Sequence, residues 1–223
     1  MKYCVVIPTH NEAKTITGLA VQVREMGFDT LVVDDGSADG TAEIVSRAGI
    51  KVLRSDRNRG KGAALIRGFD YCMNNDFDAV ITIDGDGQHL PEDIPAFVSL
   101  AEKKQGAGIF IGNRMSDRRN MPFVRVLTNK FMSWFLSLIV RQKISDSQCG
   151  FRLIRIDALR KLSLKSSKFE IESEMIIEAG RRGIKIESVP IQTIYRQERS
   201  HINPFVDTLR FFRFIFKKLH LKK

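Results

Sequence analysis

The first half of the chain alternates short apolar runs with longer segments of helical spacing. Helical spacing is clearest at Ile16, Leu19, Val23 and Met26, and Gly27 follows as the expected end of that helix. The apolar runs have the length and composition of strands that are covered on both faces. They lie at residues 3–7, 30–33, 51–53, 79–83 and 108–111. The alternation predicts an α/β fold with a doubly wound, mostly parallel sheet.

The pattern continues less regularly to the C-terminus. Further helices are expected to begin near Asp39, Gly62 and Pro91, the last because proline and acidic residues suit a first helical turn. Later helices are predicted over residues 122–141, 170–181 and 204–220, and later strands over 151–156 and 185–191. No change in composition marks a second globular domain, and 223 residues suffice for one α/β domain with a full core.

Charge is distributed unevenly along the chain. The formal net charge is +10, and residues 196–223 carry eight basic residues against two acidic ones. A basic end of this kind suggests a polyanionic partner, which would be nucleic acid, anionic lipid or a phosphorylated substrate. The alternative is a solvated basic helix without a partner. A nucleic-acid-binding module explains none of the acidic loops described below, so we expect no nucleic acid.

The cysteines and apolar segments bear on the cellular location. Cys4, Cys72 and Cys149 are scattered, with no metal-ligand spacing, which favours a reducing, cytoplasmic environment. The apolar run at 3–7 is too short for a signal peptide. The longest apolar stretch, residues 131–140, is about half the length of a membrane span, so no spanning helix is expected.

The most informative acidic loop is Asp84-Gly-Asp-Gly-Gln-His89, which directly follows a predicted strand. Ligands of doubly wound sheets bind beyond the carboxyl ends of the strands. Two carboxylates at i and i+2 can bind one hard cation such as Mg²⁺, and the Gln88 side chain can join them. The alternative is an acidic turn that only holds its own backbone. We interpret His89 as a structural residue that shapes this turn.

Two other strands end in polar loops that belong to the same edge. Residues 8–12 follow the first strand and residues 34–37 follow the second, where a carboxylate can accept from a nucleobase or a ribose hydroxyl. The alternative for the second loop is a helix-capping turn with Asp39 as the cap. The Gly60-Lys61-Gly62 segment resembles a phosphate-cradling loop but lacks the full P-loop pattern.

The motifs taken together resemble those of family 2 glycosyltransferases with the GT-A fold. The branch they resemble most is the dolichyl-phosphate mannosyltransferases and polyprenyl-phosphate hexosyltransferases. The matching segments are 6–12, 33–41, 58–62, 84–89, 112–114, 146–152 and 189–201. Any one motif is modestly specific, whereas the ordered set is highly specific and covers roughly residues 3–215.

The resemblance implies a role for individual residues. It implies nucleotide-sugar binding by Pro8, His10, Glu12, Val33, Asp35, Asp84, Asp86, Arg196 and His201, metal binding by Asp84, Asp86 and Gln88, and catalytic roles for Asp86, Arg114 and Arg125. Family members usually carry tyrosine where His10 stands and often lysine where His201 stands. The implied cofactor is Mg²⁺ or Mn²⁺. The two arginines would face the acceptor phosphate, because guanidinium pairs with phosphate in a bidentate way.

The resemblance also implies an activity and a location. The expected reaction is inverting transfer of a hexose from a GDP-mannose or UDP-glucose type donor to a dolichyl or undecaprenyl phosphate. The alternative within the family is a soluble or polysaccharide acceptor. Residues 1–203 would form the catalytic domain. Residues 204–223 would form a basic amphipathic helix that packs on this domain or contacts the cytoplasmic face of the membrane. Peripheral attachment would be direct or through a membrane-protein partner.

Overall fold

The computed structural model describes residues 1–116, 121–192 and 215, which form one mixed sheet with helices on its faces. The seven strands are β1 (Tyr3–Thr9), β2 (Asp29–Asp34), β3 (Lys51–Arg54), β4 (Ala79–Thr82), β5 (Ala107–Asn113), β6 (Arg152–Arg155) and β7 (Lys185–Pro190). The helices are α1 (Ile16–Glu25), α2 (Thr41–Arg47), α3 (Lys61–Met73), α4 (Ile94–Lys103), α5 (Phe123–Val140), α6 (Ile156–Leu159) and α7 (Ile171–Arg181). Two 3₁₀ turns, Pro91–Asp93 and Arg114–Ser116, lie at the start of α4 and the end of β5.

The sheet has the predicted doubly wound, mostly parallel character. Its strand order is β3-β2-β1-β4-β6-β5-β7, and β6 runs antiparallel to both of its neighbours while the other pairs are parallel. Every residue of β1 and β4 is buried, because helices cover both faces of the sheet centre. The order places the carboxyl ends of β1, β2, β4 and β5 at one edge.

Most helix boundaries agree with the sequence signals. The first helix ends as predicted, since Gly27 follows it with φ of +86°. The predicted cap of α2 is wrong by one residue. Gly40 occupies the N-cap in a left-handed conformation, and Asp39 precedes it while still accepting from the backbone N–H of Thr41 at 3.1 Å.

The longest helix, α5, exposes much of its apolar surface. Its apolar stripe faces outward and comprises Phe123, Val124, Leu127, Phe131, Trp134 and Leu138, with exposed fractions between 43% and 79%. The packed face instead carries Asn129, Met132, Ser133, Leu136 and Val140. The 18-residue helix has a mean hydropathy of 1.3 and 28% of it is buried. By length and composition alone, α5 is therefore long and apolar enough to cross a membrane, a test that core helices of soluble proteins also pass. The apolar stretch at residues 131–140, from which no spanning helix was expected, covers only part of α5.

The predicted C-terminal helix over residues 204–220 lies outside the described residues, apart from the helical and buried Ile215. Arg196 and His201 also lie outside them. The domain boundary at 203 and the roles of these two side chains therefore stay predictions.

Candidate active site

Three loops meet at the carboxyl edge of the sheet, as the sequence predicts. Asp35 N–H donates to the Thr9 carbonyl at 2.9 Å, which joins the loops after β2 and β1. The Thr15 hydroxyl donates to the Gly85 carbonyl at 2.9 Å and adds the loop after β4. The candidate site is thus built from segments that the parallel strands bring to one place.

Two glycines permit the close packing behind this edge. A Cβ on Gly62 would lie 2.2 Å from the Ser166 carbonyl oxygen, so the first turn of α3 fits only without a side chain there. A Cβ on Gly150 would lie 2.5 Å from Asp84 Oδ2. The backbone of Gly150 therefore comes closer to the Asp84 carboxylate than any larger residue allows.

Asp84 forms an ion pair with Lys61, whose ammonium also binds Glu172. Lys61 Nζ lies 2.6 Å from Asp84 Oδ1 and 2.6 Å from Glu172 Oε1, and the three side chains are 13–24% exposed. Burial alone would raise the pKa of Asp84, but the charge and hydrogen bond of Lys61, together with His89 and Arg114, lower that pKa. Burial likewise opposes the charge on Lys61, and the two carboxylates nevertheless raise its pKa. Asp84 and Lys61 are therefore held in their charged forms.

Asp86 is placed differently from Asp84. Its Oδ1 accepts from the backbone N–H of Gln88 at 2.9 Å, and no protein donor to Oδ2 exists within the described residues. Burial, followed by the neighbouring Asp84 charge, raises the pKa of Asp86. A cation bound beside Asp86 would offset both effects and favour its charged form.

The donor set fits a divalent cation that is shared with a substrate. Within the described ranges, no three acidic, histidine or cysteine side chains converge as a complete metal site. Mg²⁺, however, is usually held by one or two carboxylates with phosphates and water completing the shell. Asp86 supplies a half-buried carboxylate oxygen of the right kind, with Asp84 and the Gln88 side chain in the same loop.

His89 has the structural surroundings that the sequence analysis expected. The ring is 5% exposed and packs against Phe151 with centroids 5.5 Å apart. Burial lowers the pKa of His89 to about 4, more than the Asp84 charge raises it. The imidazole is therefore neutral near pH 7, and it closes the side of the loop away from solvent.

The residues predicted to bind the nucleoside lie at the ends of β1 and β2 and in the loops that follow. They differ in their exposure to solvent. His10 is exposed, and its Nδ1 lies 3.0 Å from the Asp35 carbonyl oxygen. Asp35 is 3% exposed, and its carboxylate accepts from the backbone N–H groups of Arg59 and Gly60. Pro8 and Val33 are buried strand residues, whereas Glu12 is half-buried. His10 and Glu12 are thus the accessible members of this set.

Arg114 is held firmly by a buried carboxylate. Its Nε and Nη2 donate to the two oxygens of Asp146 at 2.8 and 2.9 Å, and its backbone N–H donates to Oδ2 at 3.1 Å. Asn129 on α5 donates to the same carboxylate at 2.7 Å. Burial alone would raise the pKa of Asp146, but the Arg114 charge lowers it. Arg125, the other predicted acceptor residue, lies half-buried in the first turn of α5.

Arg152 fixes the segment that carries Asp146. Its guanidinium is 1% exposed and donates to the carbonyls of Ser147, Cys149 and Glu172 at 2.8–2.9 Å. One buried side chain thereby ties the loop before β6 to the start of α7. This explains why arginine stands in the 146–152 motif, a role that motif similarity alone did not specify.

The sequence reasoning did not assign roles to Glu172 and Asp146. Glu172 lies in an ordinary amphipathic helix 111 residues from Lys61, and no local pattern marks the pairing. Asp146 was noted only as part of a motif. A signal for both was the presence of acids in segments that also bury apolar residues, since buried charges need partners.

Comparison with solved structures identifies the fold. The mycobacterial glucosyl-3-phosphoglycerate synthase (Mycobacterium tuberculosis), solved with Mn²⁺, uridine diphosphate and phosphoglyceric acid, matches with a TM-score of 0.71 at 19% identity. The match covers 94% of this chain and 73% of that chain. The seven-stranded sheet is therefore the GT-A glycosyltransferase fold, as predicted.

Sequence comparison then gives the family. The glycosyl transferase family 2 model matches residues 4–163, and the chain belongs to this family. The undecaprenyl-phosphate mannosyltransferase of Micrococcus luteus is 31% identical, over 88% of this chain and 85% of its own length. A Methanococcus voltae enzyme, UDP-N-acetylglucosamine–dolichyl-phosphate N-acetylglucosaminyltransferase, is 29% identical over 86% of this chain and 85% of its own. The protein is thus a family 2 glycosyltransferase, similar to enzymes named for lipid-phosphate acceptors.

Proposed function

We propose that this glycosyltransferase moves a hexose from a nucleoside-diphosphate sugar of the GDP-mannose or UDP-glucose type to a polyprenyl phosphate. The observation that carries the proposal is the placement of Asp84 and Asp86, which follow β4, at the same edge of the sheet as Arg114, which follows β5. The acidic pair suits a metal-bound diphosphate and the arginine suits a phosphate. The names of the two sequence relatives support the lipid acceptor.

A divalent cation, Mg²⁺ or Mn²⁺, is part of the proposal. Asp86 would hold it directly, with Asp84 and Gln88 nearby, and the Mn²⁺ bound in the mycobacterial structural neighbour supports this assignment. When bound, such a cation neutralises the departing diphosphate as a Lewis acid. His10 and Glu12 would contact the nucleoside from the neighbouring loop.

The chain's own residues then have simple tasks. An acceptor phosphate is largely ionised near pH 7, with a second pKa of about 6, so it needs no strong general base. Arg114, oriented by Asp146, would position an oxygen of the acceptor phosphate in line with the anomeric carbon of the donor sugar. Arg125 would assist it. The phosphate oxygen forms the new bond to that carbon as the bond to the donor diphosphate breaks. The nucleoside diphosphate leaves with the electron pair.

This single displacement predicts the stereochemistry of the product. An α-linked donor is expected to give a β-linked lipid phosphate sugar, since no enzyme nucleophile intervenes. Nuclear magnetic resonance of the product formed from a panel of nucleotide sugars, with and without undecaprenyl phosphate, measures both the acceptor and the anomeric configuration. An α-linked product or a trapped glycosyl-enzyme would contradict the mechanism. Transfer to soluble acceptors alone would favour the alternative acceptor class.

We propose in addition that the protein works at an anionic membrane surface and that α5 contacts the lipid. The outward stripe of α5 offers exposed apolar side chains over the whole helix. Beside it lies a groove of about 540 Å³ whose wall includes Lys130, Arg141 and Lys143, and none of the described residues lining it is acidic. An apolar face with a basic rim fits the interface of an anionic bilayer. A peripheral location follows from this contact, and we propose that it is at the cytoplasmic face of the membrane.

Vesicle binding separates the two contributions of α5. Replacing Leu127 and Trp134 by serine is expected to weaken binding to anionic vesicles by roughly a hundredfold, because each removes a large apolar contact. Neutralising Lys130, Arg141 and Lys143 is expected to cost about 3 kcal/mol on anionic vesicles, about 1 kcal/mol per charge. Vesicle co-sedimentation measures both effects.

The control for these variants is an exposed apolar residue elsewhere on the surface. Ile44 on α2 is 39% exposed, and Ile44→Ser should leave vesicle binding unchanged. The charge variant should retain its binding to neutral vesicles. If unmodified protein ignores anionic vesicles, the membrane proposal is wrong whatever the acceptor proves to be.

A further inference from the structure

Lys61 places a cation beside the carboxylates on which the proposed metal site depends. Its Nζ lies 2.6 Å from an oxygen of Asp84 and 2.6 Å from an oxygen of Glu172, so one ammonium bridges the loop after β4 and helix α7. The three groups come from segments far apart in sequence and are each at least three-quarters buried. A surface ion pair formed by chance would not have this enclosure.

The bridge is fixed by its surroundings. Lys61 is the first residue of α3, where Gly62 packs directly against the Ser166 carbonyl. The backbone carbonyl of Glu172 is held at 2.8 Å by the buried Arg152. Lys61 therefore has little freedom to leave Asp84.

The ion pair with Lys61 also makes Asp84 and Asp86 unequal as potential metal ligands. Asp84 Oδ1 binds Lys61, and Asp84 Oδ2 lies against Gly150, with His89 Nε2 at 3.9 Å. Both aspartates therefore keep one oxygen without a protein donor in the described part of the chain, but only Asp84 has its charge offset by a bound ammonium. One carboxylate without a counter-ion is a poor site for Mg²⁺ or Mn²⁺ unless phosphate oxygens complete the shell.

We propose that Lys61 is an internal counter-ion that occupies one oxygen of Asp84 and offsets its charge, so that the cation binds firmly only together with the donor diphosphate. Lys61 is in this sense a positioning residue, and Glu172 is the second anchor that keeps it in place. The consequence is coupled binding of metal and nucleotide. The inference depends on the metal-dependent part of the proposed function and is independent of the acceptor.

Mn²⁺ binding to the free protein tests the inference without catalysis. Electron paramagnetic resonance of unbound Mn²⁺ gives the Kd with no sugar or acceptor present. Lys61→Met is expected to lower that Kd roughly tenfold, because it removes a unit positive charge next to the ligands. Added UDP or GDP should then improve Mn²⁺ binding less in this variant than in the unmodified protein. An unchanged or higher Kd in folded Lys61→Met would overturn the inference.

A second variant is expected to change the Kd for Mn²⁺ in the opposite direction. It also tests the inference if Lys61→Met does not fold. Glu172→Gln leaves Lys61 paired with Asp84 alone and removes a negative charge, so Mn²⁺ should bind more weakly to the free protein. A tighter or unchanged Kd would count against the bridge. Lys168→Met is the matched control, since Lys168 lies in the adjoining loop and forms no ion pair with Asp84. Its Kd should match that of the unmodified protein.

The outcomes distinguish this inference from the proposed function. Failure of transfer to polyprenyl phosphate, with the Mn²⁺ affinities changing as expected, would overturn the acceptor alone. Failure of the unmodified protein to bind Mn²⁺ even with UDP or GDP would overturn the metal requirement and the role of Lys61 together.

Discussion

Asp86→Ala is expected to lower the transfer rate on the order of 10³-fold, equivalent to about 4 kcal/mol of transition-state stabilisation. Asp86 has a carboxylate oxygen without a protein donor and has no counter-ion among the described residues, unlike Asp84, so the substitution removes the main ligand of the proposed metal site. The side chain is half-buried at the end of a loop rather than in the core. The fold should therefore survive, with an unchanged circular dichroism spectrum.

The measurement is turnover of nucleotide sugar at several Mn²⁺ and Mg²⁺ concentrations, beside a chelator-treated sample. Asp76→Ala is the matched control, because Asp76 is an exposed acid outside the site. That control should retain full activity. Full activity in folded Asp86→Ala, or insensitivity of the unmodified protein to chelator, would show that the loop does not hold a catalytic metal.

The parts of the molecule that the sequence predicted are those set by local patterns. Strand and helix periodicity gave the alternation of elements, and the rule for ligands of parallel sheets placed the loops of Asp35 and Asp86 at one edge. Both predictions depend on neighbouring residues and on strand direction. Neither requires knowledge of which distant side chains meet.

The parts that the sequence did not predict are long-range pairings and surface exposure. The bridge from Lys61 to Glu172 joins residues 111 positions apart, and the pairing of Arg114 with Asp146 joins residues 32 positions apart. Periodicity found the apolar stripe of α5 but could not tell whether another element covers it. The structure shows that the helix instead buries a face containing Asn129 and Ser133.

The pairing of Arg114 with Asp146 changes what a substitution of Arg114 will do. Asp146 is fully buried, so Arg114→Met leaves a buried carboxylate without its cation. We expect a loss of about 3–5 kcal/mol in the free energy of unfolding. Loss of activity in this single variant would therefore not by itself demonstrate contact with the acceptor phosphate.

The pH dependence of stability reports on the same pair. Arg114 lowers the pKa of Asp146 in the folded protein, whereas the unfolded carboxyl has a pKa of about 3.9. The pair's stabilisation is thus complete above the unfolded value and is lost as the pH falls towards the lower folded value. Removing both charges should remove this part of the acid dependence.

The double variant Arg114→Met with Asp146→Asn separates structure from acceptor binding. It leaves no buried charge unpaired, so urea denaturation should show that most of the lost stability returns. Transfer to polyprenyl phosphate should remain impaired because the guanidinium is absent, while binding of the nucleotide sugar stays close to that of the unmodified protein. Asp146→Asn alone keeps the guanidinium but loosens it, and should raise the KM for the acceptor more than it lowers kcat. If the double variant regains both stability and transfer, Arg114 serves the fold and another residue binds the acceptor phosphate.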